Sequence, residues 1–171
     1  MPIHTNNKVR MKLNDRFCIQ EYVPKSLYEK YGNKSVRWMS NIIIEADLQL
    51  VLDLEEHFER KVSCTINDWK WNKKGSQYRG VRVPNEPYYR VTSLHAHGMA
   101  SDKLFYFKNE DGSKERIPNK KVYDFVRKNE AKYYEMGIRR IEDIRDATSW
   151  LHWDCMWTAS TFKDKLQVVR A

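Results

Sequence analysis

From Ser35 to Arg60, apolar residues return every three or four positions, at Val36, Met39, Ile43, Ala46, Leu50, Leu54 and Phe58. That period keeps them on one side of a helical turn, so the segment is predicted to be an amphipathic helix packed along one face. The period then drops to two. Val62, Cys64 and Ile66 alternate with Ser63 and Thr65, which predicts a strand ended by Asn67 and Asp68. Residues 68–92 show no clear period and hold Trp69, Trp71, a Lys-Lys-Gly-Ser turn and the run Tyr78-Arg79-Gly80-Val81-Arg82. So long a connection in a compact domain is expected to form the wall of a site.

Ala100 to Phe107 predicts a second strand, and Asn109-Glu110-Asp111-Gly112 turns it into a returning segment near Arg116 and Ile117. After Pro118, the spacing of Val122, Phe125, Val126, Ala131 and Tyr134 predicts a helix that Gly137 can close in the left-handed conformation. Ile138 to Ile144 suits a short strand. Trp150 to Cys155 is the stronger strand candidate, with Trp150, His152 and Asp154 on one face, while Thr158 to Ala171 has no clear pattern. No repeat, low-complexity stretch or linker interrupts the chain, so a single domain over residues 1–171 is expected.

Its 171 residues, 41% of them hydrophobic, can supply one sizeable core. A formal charge of +8 points to an anionic partner: nucleic acid, a wall rich in phosphate and carboxylate, or a membrane surface. The basic residues are scattered among 23 acidic ones, and no helix-turn-helix, zinc-finger or RNA-recognition signature appears, which argues against nucleic acid. A basic nucleic-acid-binding protein stays as an alternative because Trp69, Trp71, Tyr88 and Tyr89 offer stacking rings. Met1 to Arg10 is polar and no later run approaches a membrane span, so neither a signal peptide nor membrane insertion is expected. Cys18, Cys64 and Cys155 are odd in number and far apart, so a zinc ion would have to use histidine and carboxylate.

Those residue types occur together twice. Ser93-Leu94-His95-Ala96-His97-Gly98-Met99-Ala100-Ser101-Asp102 sets a histidine and an aspartate seven residues apart around a glycine, and Trp150-Leu151-His152-Trp153-Asp154 adds a second pair. Two imidazoles and one carboxylate would hold zinc with its fourth position open to water or substrate. Residues two apart in a strand point the same way. His152 would then bind the ion while Asp154 accepts a proton from the attacking water, whose pKa zinc lowers to roughly 7. Asp146, six residues before His152, is the second candidate base. His97 is expected to be an exposed ring or one lying behind the ligands, and His4 and His57 stand alone. A single histidine is more often a hydrogen-bonded structural residue; here the conjunction with aspartates favours a metal.

The first motif, Ser93-x-His95-x-x-Gly98-x-Ala100-x-Asp102, resembles the signature of zinc D-Ala-D-Ala carboxypeptidases and related phage peptidoglycan endopeptidases, in the lysostaphin, D-Ala-D-Ala peptidase and hedgehog group. The second, Trp150-x-His152-x-Asp154, resembles the closing motif of the phage and bacterial branches. The resemblance runs from about Val62 to Asp154 with both motifs in family order. It implies Zn2+ held by His95, Asp102 and His152. It also implies an α+β fold of the hedgehog/DD-peptidase kind, in which a small antiparallel sheet carries the zinc site and helices pack on the outer side. The implied activity is hydrolysis of an amide in the peptidoglycan stem peptide or cross-bridge, as carboxypeptidase or endopeptidase. A Ser-Gly-Tyr-Arg segment in the family implies a substrate-facing arginine near Tyr78, for which Arg82 is preferred over Arg79, since a guanidinium fork suits a carboxylate. This chain departs from the pattern at Ser149, where many members carry their catalytic acid, and at Lys103, where an apolar residue is usual.

Without an export signal, such an enzyme would reach the wall through a holin or within a virion. A phage endolysin or virion component is therefore expected, located in the virion or in the host cytoplasm before release, with other virion proteins as possible partners. The alternative on the same resemblance is a non-catalytic virion structural or assembly protein built on the peptidase fold.

Overall fold

The computed structural model describes residues 12–156 and 165–170; the polar start Met1 to Arg10 and part of the tail lie outside them. Two short helices, α1 (Ile19–Tyr22) and α2 (Lys25–Tyr31), lead through a 3-10 turn at Gly32–Trp38 into the long helix α3 (Asn41–Phe58). Strand β1 (Val62–Thr65) follows, then the long connection, a 3-10 turn at Leu94–His97, strand β2 (Ala100–Lys108) and its hairpin partner β3 (Lys114–Arg116). Helices α4 (Asn119–Lys128) and α5 (Glu130–Glu135) precede β4 (Arg140–Glu142), β5 (Leu151–Asp154) and β6 (Gln167–Val169).

The class is α+β, but the sheet is mixed rather than antiparallel. Its strands run β1-β2-β5-β4-β6, with β3 also on β2. The pairs β1·β2, β2·β5 and β4·β5 are antiparallel, whereas β6 runs parallel to β4, with Val168 beside Ile141. The strand responsible, Gln167-Val168-Val169, is too short to show a period, which is why the sequence pattern does not reveal it.

Two helix boundaries also differ from the periodicity, each for a local reason. The predicted helix at Ser35 starts only at Asn41, because the chain must pass beside Gly98. The Ser40 N–H donates to the Gly98 carbonyl at 2.9 Å, and a side chain on Gly98 would strike the Trp38 carbonyl. Gly98 also sits at φ 64, so glycine serves both the turn and the close approach. Further on, the helix after Pro118 breaks at Asn129. Its side-chain amide donates to the Phe125 carbonyl at 2.8 Å, competing with the helix's own bonds. Gly137 closes α5 at φ 104, as expected.

Helix α3 covers one face of the sheet and buries Ile43, Ala46, Leu50 and Leu54, the stripe that the spacing predicts. Asp47 shares that stripe. Its carboxylate accepts from Lys103 Nζ at 3.0 Å, Ser101 Oγ at 3.0 Å and the Trp153 indole N–H at 2.8 Å. The Asp47 and Lys103 side chains are both 0% exposed. Lys103 also donates to the Ser101 carbonyl at 3.1 Å and lies 4.3 Å over the Trp153 ring. Burial pushes the Asp47 carboxyl up and the Lys103 ammonium down, and each partner pulls the other back toward the charged form. The lysine that departs from the family pattern therefore has its counter-charge on the covering helix.

Removing one partner of a buried pair leaves an uncompensated charge and costs about 3 to 5 kcal/mol. Lys103→Met is expected to lower the unfolding free energy by about that much in urea titration. Adding Asp47→Asn should restore a large part of it. A Lys103→Met protein as stable as the wild type would show that this pair does not fasten α3 to β2.

Candidate metal centre

The opposite face of the same strands carries the candidate site. The β2·β5 register sets Asp102 directly against His152, so their side chains emerge side by side. His95 comes from the 3-10 turn just before Gly98. Its Nδ1 lies 2.7 Å from the Gly80 carbonyl, and its own carbonyl accepts from the Arg82 N–H at 3.1 Å. An Nδ1–H donated to Gly80 leaves Nε2 as the free lone pair facing the site. Only glycine fits at position 80, because a Cβ there would fall 2.0 Å from the Tyr22 carbonyl oxygen.

Three donor atoms converge. His95 Nε2 is 3.4 Å from His152 Nδ1 and 3.4 Å from Asp102 Oδ1, and His152 Nδ1 is 2.7 Å from Asp102 Oδ1. A tetrahedral ion with nitrogen and oxygen ligands at about 2.1 Å separates its donors by about 3.4 Å. Two edges of this triangle have that length and the third is contracted by a hydrogen bond. His95, Asp102 and His152 therefore form a triad able to hold a metal ion.

Each ligand is also held from behind. Arg82 donates to Asp102 Oδ2 at 3.0 Å and to the Tyr78 carbonyl at 2.6 Å, leaving Asp102 Oδ1 for the centre. Asp154 Oδ2 lies 3.7 Å from His152 Nε2. Asp154 is in turn gripped by Arg140, whose Nε is 3.0 Å from both carboxylate oxygens, and by the Met156 N–H at 3.1 Å. Such outer partners fix ring orientation and raise ligand basicity.

The charges agree with this arrangement. Burial pulls the His152 imidazole down, but Asp102 and Asp154 outweigh it and push the ring up to about 9. Burial likewise opposes ionisation of Asp102, yet the His95 and His152 rings hold its carboxyl well below the usual range. Surroundings that favour a proton between these groups favour a metal cation there as well. On Asp154, burial is overcome by the His152 and Arg140 contacts, which lower its carboxyl.

The triad opens into a pocket of about 390 Å³ whose walls include Arg82, Ser93, Arg140, Glu142 and Trp150. The long connection thus contributes a wall through Arg82 and Thr92. Arg82, expected to face substrate, does line the pocket but already bonds Asp102. Arg79 reaches back to the Ile66 carbonyl at 3.4 Å. Asp154, the expected base, lines the pocket although it is 0% exposed, and its Oδ2 lies 3.7 Å from His152 Nε2. Asp146 bonds Arg170 at 2.8 Å and lies outside the pocket lining. His97 turns away to the Val91 carbonyl at 2.8 Å, and His57 packs on Phe58 and Phe125. Of the proposed stacking rings, Trp71 and Tyr88 are exposed, while Trp69 donates to the Val23 carbonyl at 2.9 Å.

Arg140 and Glu142 are not singled out by the sequence reading. The signal available for them was the two-residue alternation in the short strand at 138–144, which sets both on one face. Burial pushes the Glu142 carboxyl up, His152 lowers it, and a bond from the Trp150 indole N–H also lowers it. The balance leaves this carboxyl raised. Compared with protein-family models, curated proteins and solved structures, the chain matches none.

Wild-type protein dialysed against zinc is expected to retain one equivalent in metal analysis, whereas His95→Ala and His152→Ala should retain little. Asp154→Asn, which changes only the support of His152, should weaken metal binding by roughly 10- to 100-fold. Equal metal in all four proteins would remove these residues from the site.

Proposed function

We propose that the chain is a zinc-dependent peptidoglycan peptidase that hydrolyses an amide in the stem peptide or cross-bridge. The observation that carries this reading is the convergence of two separate motifs. Residues 93–102 and 150–154 deliver two imidazole nitrogens and one carboxylate oxygen to one point in an open pocket. These are the motifs that resemble the zinc D-Ala-D-Ala peptidases. No helix among the described residues is long and apolar enough to cross a membrane. A phage endolysin or virion component, held in the virion or host cytoplasm before release, is the setting we propose, with the stem peptide as partner and other virion proteins beside it.

A zinc ion with one open position polarises an amide carbonyl and stabilises negative charge on its oxygen. The chain's own residues prepare the place. His95 and His152 present oriented lone pairs, Asp102 presents one oxygen, and Arg82 neutralises the other. The guanidinium of Arg82 keeps further N–H donors, and Arg170 also lines the pocket, so its wall suits the carboxylates of D-Ala or D-Glu.

Zinc-loaded protein is expected to cleave a defined muropeptide, to lose that activity to a chelator and to regain it with added zinc, as read by mass spectrometry. Zinc uptake without cleavage of any carboxypeptidase, stem or cross-bridge substrate would favour the non-catalytic virion protein instead. At saturating zinc, Arg82→Ala should lower kcat/KM by roughly ten- to hundredfold, the loss of a charge-assisted bond of about 1.5 to 3 kcal/mol. Arg79→Ala should change it little. If Arg82→Ala is as efficient as the wild type, the arginine wall does not hold the substrate.

A further inference from the structure

The peptidase reading requires a group that takes a proton from the attacking water, and the structure restricts the choice. Ser149 has no carboxylate, and its residue is exposed. Both oxygens of Asp154 are occupied by Arg140, and the Met156 N–H adds a third bond. Asp146 is bridged to Arg170 outside the lining. One further carboxylate faces the pocket, Glu142.

Its position follows from strand register. In β4·β5, Arg140 pairs with Asp154 and Ile141 with Trp153, so the next pair in the same register is Glu142 with His152. In β5·β2, His152 pairs with Asp102. Glu142 shares the pocket face of β4 with Arg140, two residues before it, and all three of Glu142, His152 and Asp102 line the pocket. Asp102 and Glu142 thus come from the two strands that flank β5, and both line the pocket into which the triad opens. Among the described residues, no lysine, arginine or histidine forms an ion pair with Glu142, whereas Arg82 and Arg140 are committed to Asp102 and Asp154. Trp150 lines the same pocket as Glu142.

We propose that Glu142, carried on β4 into the pocket that holds His152 and Asp102, is the general base and acid of the hydrolysis. This assignment rests on the peptidase reading. As the water oxygen bonds to the amide carbonyl carbon, Glu142 takes one of its protons. It returns that proton to the nitrogen as the C–N bond breaks, and the proton left on the new carboxyl group passes to the amine. The products are a carboxylate and an ammonium, with no other reactant consumed. Asp154 becomes a positioning residue that acts through His152.

The test compares wild type, Glu142→Gln, Glu142→Asp and Asp154→Asn on one defined muropeptide at saturating zinc, together with zinc affinity measured by competition with a chelating dye. Glu142→Gln is expected to bind zinc as the wild type does, to keep KM, and to lose about 10²- to 10⁴-fold in kcat. Glu142→Asp should regain part of that loss. Asp154→Asn should differ from it by binding zinc more weakly, roughly 10- to 100-fold. An active wild type with Glu142→Gln within threefold of its kcat overturns the assignment and leaves the peptidase reading standing. So does a Glu142→Gln protein whose whole defect is weaker zinc binding. A zinc-loaded wild type that cleaves no muropeptide overturns the peptidase reading and this assignment with it.

Discussion

Strand β2 is fixed between opposite demands on its two faces, and the buried Asp47–Lys103 pair is the constraint that sets its position. Both side chains are wholly withdrawn from water, so their charges are tolerable only while Ser101, Trp153 and each other supply every contact. A small rotation of β2 or a slide of α3 would break several of those bonds together. Asp102 is the neighbouring residue on the other face, and it inherits that rigidity. The candidate metal triad is therefore built on a strand whose register is fastened from behind.

The same economy recurs around the pocket. Trp153 donates to Asp47 from the covered face of β5, while His152 and Asp154 on either side of it face the site. Gly98 turns the chain so that His95 meets β2, and Gly80 lets the long connection run against Tyr22 while offering its carbonyl to His95. Two of the pocket's guanidinium groups, Arg82 and Arg140, each neutralise a carboxylate belonging to the centre or its support. Glu142 lines the same pocket without a cation of its own among the described residues. That asymmetry sets Glu142 apart from Asp102 and Asp154, whose carboxylates are ion-paired with arginine.

Much of this was legible in the pattern of the chain. The apolar stripe of α3, the β2–β3 hairpin and β5 follow from spacing alone, and the triad is recognisable from histidine and aspartate in two motifs. What escaped lies where tertiary contact overrides local period. Asp47 looks like an interruption of an apolar stripe until Lys103 is seen beneath it, and Lys103 looks misplaced for the same reason. The ion pairs of Asp154 with Arg140 and of Arg82 with Asp102 escaped too, because each joins residues far apart in the chain. β6 is three residues long and pairs in parallel, a relation no periodicity encodes. Glu142 was accessible in principle through its alternation with Ile141, but only the strand order places it beside His152.

His95, Asp102 and His152 converge in this pocket as a triad able to hold one zinc ion. Diffraction from zinc-loaded crystals, recorded on both sides of the zinc absorption edge, tests it most directly. A single strong anomalous peak is expected about 2.1 Å from His95 Nε2, His152 Nδ1 and Asp102 Oδ1, with no sulfur ligand. A peak elsewhere, a cysteine in the ligand shell, or no peak in zinc-soaked crystals would contradict it.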